Sequence, residues 1–185
     1  MTENKIEISL SKTKLIKLLI FSVLFLLGGL WMIITNPQTN NSVFNNLIIK
    51  TIASYGSTIM GLLGIYFFTK KLFDKKPGLI LSEEGIYDNT SAFNFGLIPW
   101  TDISEIYEKS IQASIASKQH FVTIGLVDPE KYITRVTNIL KRRLLMVNSK
   151  SYGSPIHIST NGLKTNHKDL FKLVTEYFNK YKSAV

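Results

Sequence analysis

The residues best able to do chemistry in this chain are three histidines and a set of spaced carboxylates, because the sequence contains no cysteine. Without a thiol there is no disulfide framework, no thiolate zinc site and no cysteine nucleophile. His120, His157 and His167 are not related by the H-x-x-x-H or H-E-x-x-H spacing that sets two imidazoles on one helix face for a metal. His120 begins a predicted strand, His157 alternates within another, and His167 opens the last helix, so each reads as a structural or surface histidine. Asp102, Glu105 and Glu108 recur at every third position. In an extended segment Glu105 and Glu108 point to opposite faces, which is a poor arrangement for paired acid and base. Neither a G-x-S-x-G elbow nor a phosphate-cradling G-x-x-x-x-G-K-[ST] loop is present. The expectation is a protein that is not an enzyme, with no catalytic residues, no cofactor and no metal.

Positive charge is the remaining signal. The 185 residues carry 22 Lys+Arg against 13 Asp+Glu, a formal net charge of +9. The segment beginning Asp128-Pro129-Glu130 has a capping carboxylate, a proline at the first helical position and an acid in the first turn. Beyond it, Ile133, Val136, Leu140, Leu144 and Val147 fall within an arc of about 80° on a helical wheel. This predicts one amphipathic helix from Asp128 to near Asn148, its apolar stripe turned inward. Lys131, Arg135 and Arg142 lie opposite, as candidate contacts to anionic lipid headgroups or to an acidic protein partner. Lys141-Arg142-Arg143 is a second basic cluster. No RNP-like aromatic motif or helix-turn-helix signature accompanies either cluster, so nucleic acid is not the expected partner.

The elements that must position these residues begin with two apolar runs, Leu18 to Ile34 and Thr51 to Thr69, each without a charge. At about 1.5 Å per residue, 17 to 20 residues of helix span roughly the hydrocarbon core of a bilayer. A cleaved signal peptide is the competing reading of the first run. It is disfavoured by the length of that run and by Thr35-Asn36-Pro37-Gln38-Thr39, which lacks a small-x-small cleavage site. Lys5, Lys12, Lys14 and Lys17 precede the first run, Lys70, Lys71, Lys75 and Lys76 follow the second, and Lys50 alone lies between them. The positive-inside rule then predicts an integral protein of the inner (plasma) membrane with both termini cytoplasmic. The expected organisation is a cytoplasmic tail over 1–14, spans over 15–34 and 51–69, an external loop over 35–50, a basic linker over 70–78, and a cytoplasmic domain over 79–185. Ala53, Ser57, Gly61 and Gly64 form a small-residue stripe that admits close approach of a second helix. The preferred partner is the first span of the same chain near Gly28 and Gly29. A homodimer through Ser57, Gly61 and Gly64 is the alternative.

From Pro77 onward the pattern changes to short alternating runs bounded by turns. Leu79 to Ser82 and Ile86 to Asp88 read as a hairpin around Glu83-Glu84-Gly85. Ile103 to Ser110 and Phe121 to Val127 read as further strands, and so does Pro155 to Ser159. The last helix runs from about Asn166 to Lys182, with Leu170, Val174, Tyr177, Phe178 and Tyr181 on one face. The class is α+β, with several antiparallel strands arranged as a small barrel and the last helix covering its open end. Trp100 reads as a core residue rather than a ligand platform.

The Glu83-Glu84-Gly85-Ile86 hairpin, the string Gly96-Leu97-Ile98-Pro99-Trp100-Thr101-Asp102-Ile103, the segment Gly153-Ser154-Pro155-Ile156-His157-Ile158 and the closing helix together resemble an uncharacterised bacterial membrane-protein family. Its members carry two N-terminal transmembrane helices and a cytoplasmic domain like the pleckstrin-homology (PH) domain. The resemblance implies a partly open barrel of about seven strands capped by a C-terminal helix, and it carries no catalytic residues or ligand with it. The expected function is a membrane-anchored binding or scaffold module for a protein or anionic headgroups. The alternative is an envelope self-protection, immunity or stress factor that binds a membrane-active partner.

Overall fold

The computed structural model of the chain describes residues 5–38, 40–93, 95–114 and 117–182. It divides into two compact units: Lys12–Lys75, and a second unit assembled from Met1–Ser11 together with Lys76–Val185.

The first unit is a helical hairpin of α1 (Lys12–Thr35), the short α2 (Ser42–Asn45) and α3 (Leu47–Leu72). Asn46 starts α3 by accepting hydrogen bonds from the Ile48 and Ile49 amides, satisfying two of the otherwise orphaned N–H groups. Both α1 and α3 are long and apolar enough to cross a membrane, and only 11% of each apolar window is buried within the chain. Their antiparallel packing depends on absent side chains. A Cβ added at Gly61 would come within 2.6 Å of the Leu26 amide nitrogen, one at Gly64 would strike Ser22 Oγ, and one at Gly29 would meet the Thr58 amide at 2.7 Å. The close-approach positions Gly61 and Gly64 are thus occupied by α1 of the same chain. Ser54 and Gly61 are the buried residues of α3, whereas Ala53 is exposed.

The second unit contains, among the described residues, seven strands in two antiparallel sheets. The first sheet has the order β1 (Ile6–Ile8), β2 (Leu79–Leu81), β3 (Gly85–Asp88), β4 (Leu97–Pro99). A 3-10 turn, Trp100–Asp102, leads into the second sheet of β5 (Ile103–Ser114), β6 (Ser117–Leu126) and β7 (Ile156–Ile158). Between β6 and β7 stand α4 (Pro129–Thr134) and α5 (Ile139–Tyr152), and α6 (His167–Lys182) closes the chain after a second 3-10 turn, Thr160–Gly162. The inward residues of both sheets, Leu79, Leu81, Ile86, Ile98, Ile103, Val122, Ile124, Ile156 and Ile158, share one core with Leu170 and Val174 of α6. Trp100 lies inside it, its indole N–H donating to the Ser82 carbonyl at 3.0 Å and its ring facing Tyr177 and Phe178 of α6. An indole can be buried so fully only because that N–H has found an acceptor.

The α+β class is as expected; among the described residues the strands pair as two antiparallel sheets, with an isolated bridge Leu10↔Leu163 outside the named strands, and no closed barrel is found. Two further expectations are corrected. The segment expected as a tail supplies an edge strand: Ile6, Glu7 and Ile8 pair with Leu81, Ile80 and Leu79. The whole of Lys12–Lys75 therefore occupies the place of a β1–β2 hairpin loop. Finally, the helix expected from Asp128 to Asn148 is two helices, because Asn138 turns extended and caps α5 by accepting from the Lys141 amide at 3.0 Å. The break resets the helical phase. Ile133 stays in the core, Leu145 becomes the buried residue of α5, and Leu140, Leu144 and Val147 face solvent.

Candidate functional site

The three basic residues singled out by the sequence are not gathered on one face. Lys131 and Arg135 belong with α4, which Asp128 caps by accepting from the Lys131 amide. Asp102 in the 3-10 turn accepts from Lys131 Nζ at 2.6 Å and from Tyr132 Oη at 2.5 Å through the same oxygen, Oδ2. The Arg135 guanidinium carbon lies 4.6 Å from the centroid of the Tyr132 ring. Tyr132 itself is fully buried. The hydrogen bond from Lys131, then that from Tyr132, holds the Asp102 carboxyl below its usual range, while burial and the bond to Asp102 push the Tyr132 phenol up. Two charge-assisted hydrogen bonds on one carboxylate fasten α4 to the turn that follows Trp100. Arg142 sits in α5 and donates from Nε to the Val136 carbonyl at 3.1 Å, so it braces the α4–α5 junction. Lys131 keeps part of its side chain in solvent and Arg135 is exposed. These two retain a surface that an anion can approach, and Arg142 is half-buried.

The α4–α5 region ends in a left-handed residue, Gly153 at φ 86°, whose N–H donates to the Ser149 carbonyl. This C-cap is the position where a side chain would strain the backbone.

A second cluster was invisible to spacing. Ser110 and His120 are cross-strand partners, with Ser110 Oγ 2.9 Å from His120 Nδ1. His167, the first residue of α6, pairs through Nε2 with Glu108 Oε1 at 2.6 Å, and its ring lies 5.4 Å from that of His120. The pairing of Glu108 with His167 ties α6 to β5. No group of three or more His, Asp or Glu placed to hold a metal ion is found among the described residues. The only sequence signal for this cluster was the strand register.

His157 donates to or accepts from Thr123 Oγ1 at 2.9 Å, and burial pushes its imidazole down. A groove of about 490 Å³ lies beside β1 and α6, with Glu7, Lys164, Asp169, Lys172 and Glu176 around it. Its charges are mixed in sign, so it favours neither an anion nor a cation. The chain matches no protein-family model, no curated protein and no solved structure.

Proposed function

We propose that this chain is a non-catalytic binding module anchored in the inner membrane by the α1–α3 hairpin, with a PH-like domain and both termini in the cytoplasm. The observation that carries this reading is the β1–β2 pairing. Residues on either side of the hairpin build one sheet, so they must share one side of any membrane the hairpin crosses. The basic residues flanking the hairpin favour the cytoplasmic side. The domain recognises an acidic protein partner or anionic headgroups, with Lys131 and Arg135 as its available cations. The resemblance to a bacterial family of two-span proteins with PH-like domains agrees with this arrangement, and fold similarity alone says nothing of the ligand.

Reporter fusions at position 40 and at the C-terminus test the topology. An enzyme active only in the external compartment should work at position 40 and fail at the C-terminus. The reverse result sinks the arrangement. Crosslinking in intact membranes, followed by purification of the full chain, then identifies what the domain holds.

A further inference from the structure

The outer face of α5 is the surface that the core does not explain. Ile139, Leu140, Leu144 and Val147 are 70%, 68%, 50% and 58% exposed, although all four are aliphatic. With Arg143 and Lys150 they occupy an arc of about 140° at 100° per residue, opposite the buried Leu145. Arg143 and Lys150 are exposed and make no hydrogen bond or ion pair among the described residues. Lys141, by contrast, donates to the Ala92 carbonyl, and Arg142 to that of Val136.

We infer that this face of α5 docks on the anionic surface of the membrane that holds the chain, its aliphatic residues entering the headgroup boundary and Arg143 and Lys150 pairing with lipid phosphates. The inference rests on the membrane-anchor reading. Aliphatic side chains with unpaired cations among them are the composition of an interfacial helix. The helix contains no acidic residue at all. A two-fold contact with a second copy would therefore bring Arg143 and Lys150 against their own equivalents, whereas an anionic leaflet complements them. The domain begins at Lys76, a few residues after α3 ends at Leu72, and its first segment ends at Ser11, directly before α1 begins at Lys12. With the domain tethered so closely to the proposed anchor, docking on the same membrane is an intramolecular event at high effective concentration.

The test uses the full chain, whose lack of cysteine makes any introduced thiol unique. Val147→Cys on α5, Lys172→Cys on the exposed side of α6 and Phe25→Cys on the exposed side of α1 are each labelled with an environment-sensitive fluorophore. The proteins are then reconstituted in vesicles of phosphatidylcholine alone or mixed with phosphatidylglycerol, with nitroxide lipids as quenchers. The label at position 147 should be quenched several-fold more than that at 172, and only when phosphatidylglycerol is present. Moderate salt should weaken the effect. At about a fivefold loss of affinity per cation near an anionic surface, the double variant Arg143→Gln, Lys150→Gln should lower the docked-to-free ratio by roughly 25-fold. Both substituted residues are exposed, so the fold is retained.

Equal quenching at 147 and 172, with 25 quenched, overturns the docking and leaves the anchor standing. Absence of quenching at 25 overturns the anchor itself. A label at 147 shielded equally in neutral vesicles, and increasingly so at high protein density, assigns the face to a second copy and overturns the inference. Shielding that requires added membrane extract assigns it to a protein partner, with the same consequence.

Discussion

If Lys12–Lys75 takes the place of a hairpin loop, replacing all of it by a short Gly/Asn turn between Ser11 and Lys76 should leave a soluble, folded domain. Residues 76–185 alone should not reach the same stability. The difference is what β1 contributes. Ile8 is buried, which is worth about 1.5–3 kcal/mol relative to exposure, and Leu10 packs partly against the same core. The Gly78 amide donates to the Ile8 carbonyl, the Lys164 amide to Ser9 and the Ser11 amide to Gly162. At about 0.5–1.5 kcal/mol net per bond, with part of that recovered from water, the total loss is about 4–6 kcal/mol. Domains of this size are stable by only about 5–15 kcal/mol. The isolated 76–185 segment should therefore melt roughly 15 to 25 °C below the loop-closed chain, at about 4 °C per kcal/mol. Circular dichroism of both proteins reads this directly. Coincident melting curves would refute the claim that β1 is a structural member of the sheet. Failure of both to fold would refute the claim that the domain is independent of the hairpin. A sharper control is Ile8→Asp in the loop-closed chain, which leaves the covalent closure intact and should lower the melting temperature by a similar amount.

Three further outcomes follow from the same geometry. Tyr132→Phe removes one of the two donors on Asp102 and should cost about 1–2 kcal/mol in urea unfolding of the loop-closed chain. Because the Asp102 carboxyl is held below its usual range, its contribution is present above the unfolded value near 3.8 and is lost as pH falls through the lowered folded value. The variant should begin its acid unfolding at a higher pH than the wild type. In the hairpin, Gly61→Leu should loosen the packing of α1 on α3 and lower the melting temperature of the detergent-solubilised full chain, since a Cβ at position 61 falls on the Leu26 backbone. An unchanged melting temperature would refute the close approach of the two helices there. On α6, Leu170→Ala should destabilise the domain by about 2–5 kcal/mol, because Leu170 is fully buried in the core shared by the sheets and α6. An unchanged unfolding midpoint would remove the helix from the core.

Much of the second unit was legible because its signals are local. The β2–β3 hairpin, the burial of Trp100 and the packed face of α6 follow from alternation, turn residues and helical periodicity within short windows. The strand β1 carries no such window. Ile6-Glu7-Ile8 is three residues long and its partner lies beyond the entire hairpin, so only the tertiary pairing reveals it. The His120–His167 cluster was hidden for the same reason, because its members come from β6 and α6 and meet only through the register of β5 with β6.

The α4–α5 break is a different kind of miss, since its signal was in the sequence. Asn138 stands directly before Ile139-Leu140-Lys141, a capping residue followed by a new helix start. An unbroken wheel from Asp128 nevertheless places five apolar residues on one side, and the cap at Asn138 shifts the phase between them. With the break, those five divide between two environments: Ile133 enters the core and Val136 packs partly against it, while Leu140, Leu144 and Val147 are left in solvent beside Arg143. The domain's core is already closed by two sheets and α6 and accepts only Leu145 as a buried residue of α5. An aliphatic surplus on a helix that the core cannot absorb needs a second apolar medium. In the docking proposed for this face, that medium is the bilayer that α1 and α3 are long and apolar enough to cross.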